Sequence, residues 1–448
     1  LYNNFFAFAT FFDGLQFLLY SFANVKFCDV LGGINLLTNA PRGTKDILPA
    51  QVGNWLAVEN KIREICKLYG YEEIRTPTFE HTELFQRGIG EGTDVVDKEM
   101  YTFNDRGGRS ITLRPENTAS AVRAYLQNKL FANGGVQKLF YIGSMFRYDR
   151  PQAGRLREFH QFGVEALGEK NPALDAEIIL LAVDFLKSLG LDNLKLKINT
   201  VGCPKCRPVY RQKLQEYFSE YRDQLCDDCK TRIDKNPLRL LDCKVDGEKD
   251  FVQDAPLIFT CLCDECREHF DEVQKFLQSA AVEFELDSRL VRGLDYYTKT
   301  AFEIQYTPLG AQSAVAGGGR YDGLIEEIGG TPTPGIGFAA GLERILIALE
   351  KQNLLKEVAQ SPEMFIVAVG KQAEILGFEV LSKLRRKNIA ATMDFAKRSI
   401  KAQMKQAAKS GAKFAVIIGD EEVKNSTVTL KNMETSEQKT ISLEEFLS

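Results

Sequence analysis

The sequence predicts an α+β protein of several domains, and three observations carry that expectation. Residues 140–165 pattern as an antiparallel hairpin, with bulky apolar side chains alternating with small or polar ones on both arms. Beyond Pro362, short strand-like runs alternate with helical stretches, as in a small α/β domain. A length of 448 residues suits about three domains and leaves ample chain for a buried core.

Composition narrows the function. A net charge of −4 excludes a uniformly basic nucleic-acid coat, so any RNA contact must come from local patches. The only histidines, His81, His160 and His269, leave little room for a His-rich metal site. Eight of the ten cysteines fall between Cys203 and Cys266, with Cys28 and Cys66 apart. A secreted disulfide framework would staple a short chain throughout, so a reducing cytoplasm is expected.

Residues 1–39 differ from the rest. Phe5 to Phe27 is apolar and aromatic, but Asp13 near its middle would be costly in a bilayer. No basic segment precedes the run and it contains no arginine, which argues against a secretory signal and an organelle transit peptide. The stretch reads as a mis-assigned start or a disordered appendage, and no membrane partner is expected.

Turn residues around Arg42 and Lys45 open the globular part. Val52 to Tyr69 carries apolar residues at 55, 58, 62, 65 and 68, a helical period that Gly70 ends. Glu73 to Pro77 follows as a strand with a proline at an edge or bulge. The glycine-rich loop Arg87–Asp94 lacks Walker spacing, and no dinucleotide-binding fingerprint follows a strand. Next, Arg114, Glu116 and Thr118 occupy alternate positions. In an extended segment they face one way and present a carboxylate and a hydroxyl suited to an ammonium group. The other reading is a helix N-terminus, since Asn117 and Thr118 precede apolar Ala119–Leu126.

The hairpin's first arm ends on Arg147, and its turn holds Pro151, Gly154, Arg150, Arg155 and Arg157. Arginine's planar fork suits phosphate and keeps its charge near neutrality, so this hairpin is built to hold an anion. A merely solvated hairpin would rarely carry aromatic residues on both arms. Leu174–Leu189 then reads as an amphipathic helix and Leu194–Ile198 as a strand. Three Cys-x-x-Cys pairs follow, at 203/206, 226/229 and 263/266, any two of which could place four thiolates around one tetrahedral ion. Cys203, Cys206, Cys226 and Cys229 are the candidate ligands of a structural zinc. A catalytic zinc is not expected, because nothing nearby supplies a base in an open site.

Arg292, Gly293 and Asp295 precede Tyr296 and Tyr297, with a strand at Thr300–Tyr306. The glycines of Ala316–Gly323 allow close backbone approach to a ligand. Small residues at 335, 337, 339, 340 and 341 lead to Arg344, in the first turns of a Leu342–Leu349 helix, where guanidinium and helix dipole can both meet a phosphate. In the last domain, Phe365–Val369, Ile389–Thr392 and Phe414–Ile418 read as strands. Between Lys383 and Lys413 there are ten Lys or Arg against one acid, Asp394, the footprint of an RNA-binding face or else a solvated lysine face.

These segments together resemble the histidyl-tRNA synthetase family of the class II aminoacyl-tRNA synthetases. Phe146–Arg147, the arginine loop and Glu158–Glu165 resemble motif 2; Val52–Pro77 has the layout of motif 1, and Thr331–Arg344 resembles motif 3. Leu290–Thr298 and Ala316–Gly323 are similar to the two histidine-specific signatures. The resemblance runs from Pro41 to the C-terminus, with Asn117 standing where glycine is more usual. No class I signature occurs.

The resemblance implies an antiparallel-sheet catalytic domain flanked by helices, in two parts (40–200 and 281–355), around a mainly helical insertion (201–280). An anticodon-binding domain (362–448) and a homodimer are also implied, as are ATP and Mg²⁺. It implies that Arg147 holds the α-phosphate of ATP and Arg344 the γ-phosphate, with Arg292 stabilising attack by the histidine carboxylate. Glu116, Thr118 and Gln161 would meet the α-ammonium; Glu165 and Tyr297 the imidazole, with Tyr296 and Tyr321 beside them. Arg155 would meet the acceptor end of tRNA(His), and Lys397, Arg398 and Lys401 its anticodon region. Relatives often lack cysteine in the insertion, so it can fold without metal. The implied activity is attachment of L-histidine to tRNA(His). A catalytically silent regulatory subunit of ATP phosphoribosyltransferase is the alternative, although such paralogues usually lack both the last domain and the Arg292 signature. The Tyr296–Tyr297 pair and Glu165 speak against a prolyl or threonyl enzyme.

Overall fold

Alternation along the chain decides which side of the main sheet is core and which is cleft. The computed structural model describes residues 38–448, apart from 91, 92, 94, 153, 242, 244 and 356–360. The reading of the N-terminal appendage, and part of that of the glycine-rich loop, lie outside the described residues. Residues 47–448 form one compact unit.

Eight strands build the main sheet: β1 (Glu72–Glu73), β2 (Gln137–Phe146), β3 (Glu158–Leu167), β4 (Leu194–Thr200), β5 (Glu285–Leu286), β6 (Thr298–Tyr306), β7 (Ala314–Arg320) and β8 (Gly335–Gly341). Their order is β1-β2-β3-β8-β7-β6-β4-β5. The six central strands are antiparallel, and the two short edge strands pair in parallel. Along β3, Phe162, Val164 and Ala166 enter the core while Gln161 and Glu165 face the cleft, the period-two pattern of a strand.

Helix Pro172–Ser188 covers the core face. Asn171 caps it by accepting the Ala173 amide at 2.9 Å, and Pro172 suits the first turn. Its residues Ile178, Leu181, Ala182 and Phe185 are fully buried with Phe162 and Phe338. Helix Pro49–Leu68 packs alongside through Val58, Ile62 and Ile65.

The expected strand at 73–77 is shorter than its pattern suggested. Pairing ends at Glu73, and Pro77 has no amide with which to continue a ladder. Thr76 is instead held by the Arg114 side chain. A small sheet of Phe79–His81, Tyr101–Asn104 and Ser110–Leu113 was not anticipated; its last strand delivers Arg114–Thr118 to the cleft.

The segment between β4 and β5 holds helices Cys206–Ser219 and Asp227–Lys235 around a small core of its own, and helix Asp264–Ser279, which adds Phe270, Val273 and Leu277 to the main core. The last domain has five strands: β9 (Met364–Ala368), β10 (Ala391–Met393), β11 (Phe414–Ile418), β12 (Thr427–Asn432) and β13 (Gln438–Ser442). Their order is β10-β9-β11-β12-β13, parallel across the first three and antiparallel across the rest. The β12–β13 hairpin was missed, because its arms are polar and half-exposed.

Candidate active site

On the cleft side of the sheet, β3, β7 and β8 and the Arg292–Tyr297 segment enclose a space of about 420 Å³. Glu116, Thr118, Arg147, Arg155, Gln161, Glu165, Arg292, Tyr296, Tyr297, Tyr321 and Arg344 all line it. These residues span more than two hundred positions of chain, yet the sheet register gathers them in one place.

Glu165 forms the floor. It is buried, with its carboxylate accepting the Tyr321 hydroxyl and the Tyr141 hydroxyl, the latter at 3.2 Å. Burial pushes its pKa up to about 8, even though the phenols favour the charged form; the nearby Glu116 charge adds to the rise. The same enclosure pushes Tyr141, Tyr296, Tyr297 and Tyr321 above the usual phenol range. The Tyr296 ring lies tilted against Tyr297, with centroids 4.6 Å apart, and edge-on to Tyr321 at 5.7 Å.

Glycines make the room. Gly337 lies directly across from Glu165, and a Cβ there would strike its carboxylate. Gly317 plays the same part for the Arg292 guanidinium. Tyr141 escaped the sequence reading, although its cross-strand neighbour Gly163 carried a signal: a Cβ on Gly163 would strike the tyrosine ring.

Glu116 and Thr118 reach the cleft, but not by the expected alternation. Thr118 starts the helix Thr118–Gln127, so the segment is not extended and Arg114 points away. Its guanidinium binds Thr76 and the Ser144 carbonyl, at 2.9 Å from the latter, which clips the motif 1 region to β2. Glu116 accepts the Thr118 and Ala119 amides at 2.7 and 3.0 Å, as the helix N-terminus favours. Each carboxylate oxygen retains a second lone pair. Gln161 adds a buried carbonyl oxygen with no hydrogen-bond partner among the described residues, an acceptor suited to an ammonium donor.

The other side of the cleft is cationic. Arg147 donates to the Pro115 carbonyl at 2.8 Å and lies over the Phe159 ring. Arg344, third residue of helix Leu342–Lys351, donates to the carbonyls of Ala314 (2.8 Å) and Gly154 (3.3 Å). Burial and the charges of Arg155 and Arg147 lower the Arg344 pKa, despite an opposing pull from Glu303. An anion bound there would relieve that repulsion. Arg155 pairs with Asp149 and, at 3.8 Å, with Glu99. Arg292 pairs with Glu303 at 2.7 Å, while its Nε is buried without a partner among the described residues. Neither Glu303 nor Arg239, which donates to the Arg292 carbonyl at 3.2 Å, was predicted. Arg239 belongs to the insertion, and nothing in its local sequence marks it.

Lys397, Arg398 and Lys401 lie apart from this cleft, at the start of helix Ile400–Lys409 in the last domain. Arg398 pairs with Asp394 at 2.7 Å, and the exposed Phe395 stands among these cations. The structure corrects the cysteine set. Cys203 and Cys206 gather with Cys263 and Cys266, whereas Cys226 and Cys229 gather with Cys243 and Asp246. Chain folding, rather than order along the sequence, chooses the partners, because the helix Asp264–Ser279 returns beside the start of the insertion.

Comparisons with known proteins agree with this geometry. The family described as histidyl-tRNA synthetase matches residues 43–345, and an anticodon-binding domain matches 363–448. The chain is 55% identical over 409 residues to the histidine–tRNA ligase of Pelotomaculum thermopropionicum, covering 91% of this chain and 96% of that one. Against the histidine–tRNA ligase of Desulforamulus reducens it is 55% identical over 412 residues, covering 92% and 98%. The apo crystal structure of S. aureus histidyl-tRNA synthetase superposes with a TM-score of 0.78 at 40% identity, covering 92% of this chain and 99% of that one. With its buried carboxylate–phenol floor, its arginine-lined cleft and these relatives, the chain belongs to the histidyl-tRNA synthetase family.

Proposed function

We propose that this chain is a histidine–tRNA ligase, which activates L-histidine with ATP and transfers it to tRNA(His). The observation that carries the reading is one cleft holding the buried Glu165–Tyr321 pair on one side and Arg147, Arg155, Arg292 and Arg344 on the other. A pocket for an apolar amino acid has no use for a buried carboxyl. Imidazole has an ordinary pKa of about 6.5, so it and a carboxyl held near 8 can share one proton in a short, charge-assisted hydrogen bond. Either group can bring that proton. Tyr297 packs beside it, and Glu116, Thr118 and Gln161 receive the α-ammonium.

In the first step a histidine carboxylate oxygen bonds to the α-phosphorus as the bond to the bridging oxygen breaks and pyrophosphate leaves. No proton moves, so the demand is for fixed positive charge rather than a general base. Arg147 and Arg292 flank the position for the α-phosphate, and Arg344 holds the far end of the triphosphate. The cationic lining fits that nucleotide; Mg²⁺, when bound, would neutralise the leaving pyrophosphate. In the second step a ribose hydroxyl oxygen of the tRNA end bonds to the carbonyl carbon as the carbonyl–phosphate bond breaks, and AMP leaves with the hydroxyl proton on its phosphate; Arg155 would meet the acceptor strand.

Lys397, Arg398 and Lys401, with exposed Phe395 as a stacking surface, support an anticodon-stem contact in the last domain. Exposed Leu48, Leu56, Leu68 and Phe79 near motif 1 support burial by a second copy, as a homodimer. The nine described cysteines are all free, which supports a reducing cytoplasm. No helix among the described residues is long and apolar enough to cross a membrane.

ATP–pyrophosphate exchange with each of the twenty amino acids tests the reading. Exchange with histidine alone is the expected result. Exchange with another amino acid would overturn the pocket assignment, and none in a folded protein would favour the regulatory-subunit reading.

A further inference from the structure

Two cysteine clusters in the insertion have no part in the chemistry above. In the first, Cys203 Sγ lies 3.6 Å from Cys206 Sγ and 3.9 Å from Cys263 Sγ, and Cys266 completes a group of four. In the second, Cys226 Sγ lies 3.9 Å from Cys243 Sγ, with Cys229 and Asp246 completing the group. None of these thiols is in a disulfide. The spacing is informative: zinc–thiolate bonds of about 2.3 Å in a tetrahedron put neighbouring sulfurs about 3.8 Å apart. Van der Waals contact would bring one pair of sulfurs equally close, so the stronger mark is that four candidate ligand atoms in each group all lie within 4.8 Å of one another. Iron–sulfur clusters hold their thiolates farther apart, around several metal atoms.

The surrounding backbone is arranged for ligation. The Cys263 amide points at Cys206 Sγ at 3.1 Å, and the Asp246 amide at Cys243 Sγ at 3.5 Å, donors that favour thiolate sulfur. Gly202 takes a φ of +69°, and a Cβ there would come within 2.8 Å of Cys206 Cβ, so only glycine lets this knuckle close. Asp246 is oriented by the Cys226 amide at 2.9 Å and by Lys249 at 2.7 Å. Each of its oxygens retains a lone pair for a metal.

We propose that the insertion binds two structural zinc ions, one on Cys203, Cys206, Cys263 and Cys266 and the other on Cys226, Cys229, Cys243 and Asp246. The first closes the neck of the insertion, joining cysteines 60 residues apart at its entry and exit. The second staples the tip. The neck also braces the active site: Gly202 and Glu265 hold Lys299 at the head of β6, and Arg207 donates to the Asp295 carbonyl at 3.2 Å. Asn236 and Arg239, from the body of the insertion, hold Asp295 and the Arg292 carbonyl. The zinc-bound insertion therefore acts as a buttress for the segment bearing Arg292, Tyr296 and Tyr297.

The full chain, produced with both zinc and iron supplied and purified under reductant without chelator, should carry two zinc ions by elemental analysis. X-ray absorption at the zinc edge should show sulfur at about 2.3 Å with a minor oxygen contribution. Cys263→Ser with Cys266→Ser, and separately Cys226→Ser with Cys243→Ser, should each remove one ion. Those variants could misfold, so the wild-type stoichiometry stands as an independent test. Only trace zinc, iron in its place, or oxygen and nitrogen donors alone would overturn the proposal, and one ion per chain would overturn the second centre. Stripping zinc with a chelator should raise amide hydrogen exchange across 203–266 and 290–298 and leave β2 and β3 unchanged. Unchanged exchange at 290–298 would overturn the buttress.

Discussion

On the floor of the cleft Glu165 is enclosed by two phenols and cut off from solvent; opposite it, Arg147 and Arg344 are oriented by backbone carbonyls and a ring face, and Arg155 and Arg292 by carboxylates. A carbonyl is a dipole, so it aims a guanidinium without cancelling its charge. The floor is thus a fixed, nearly complete network awaiting one imidazole, and Arg147 and Arg344 leave positive charge uncancelled by their carbonyl partners, awaiting an anion. Selectivity and charge stabilisation are separated in space, which lets each be disturbed alone.

The comparison breaks most sharply at Arg292. Arg292→Ala should lower the rate of histidine-dependent pyrophosphate exchange by about a hundred- to a thousandfold, the range for losing one preorganised charge donor. Its thermal midpoint should barely move, because the Glu303 pair it gives up is partly exposed and its buried Nε has no partner among the described residues. Full activity in that variant would remove its assigned role.

On the floor, Glu165→Gln should weaken histidine binding by roughly 1.5–3 kcal/mol, ten- to a hundredfold in KM, with a smaller effect on the exchange rate at saturation. Stability gives a second readout. Burial raises the Glu165 pKa from 4.5 to about 8 in the folded chain, so its contribution is complete at acid pH and is lost as pH rises through that window. Without histidine, the glutamine variant should therefore gain thermal stability relative to wild type between pH 5 and 8 and gain no more above it. A flat difference across that range would show that Glu165 titrates normally.

Charge reversal at Lys397, Arg398 and Lys401 should raise the KM for tRNA about tenfold or more and flatten its salt dependence, with pyrophosphate exchange unchanged. Unchanged charging would refute the anticodon role. Gly337→Ala tests the packing of the floor through stability rather than through activity. Its methyl would meet Glu165 and the Val164 carbonyl, costing about 1–3 kcal/mol in urea unfolding. If the variant instead kept wild-type stability and histidine affinity, the floor would be looser than its packing suggests.

Much of this was legible along the chain because local rules produced it. Alternation located β2 and β3, the amphipathic pattern of Leu174–Leu189 marked the helix that covers the core, and small residues before Arg344 marked a strand leading into a helix. The residues of the cleft were named from their motifs. Where reasoning by period failed, a local competitor had won: Thr118 opened a helix and turned Arg114 away, and the chain left the sheet after Glu73, with Thr76 held by Arg114. Tyr141, Glu303 and Arg239 stayed hidden because their roles depend on neighbours far away in sequence.

The sequence by itself therefore determined which side chains could do chemistry, through residue type and alternation, since both act over a few residues. Only the tertiary structure decided the partners. It placed Glu165 opposite Gly337 and beneath Tyr321, set Arg292 against Glu303, and returned Cys263 and Cys266 to Cys203 and Cys206 rather than to Cys226. Such pairings follow from sheet register and helix packing, which depend on the burial of the whole core rather than on any short stretch of chain.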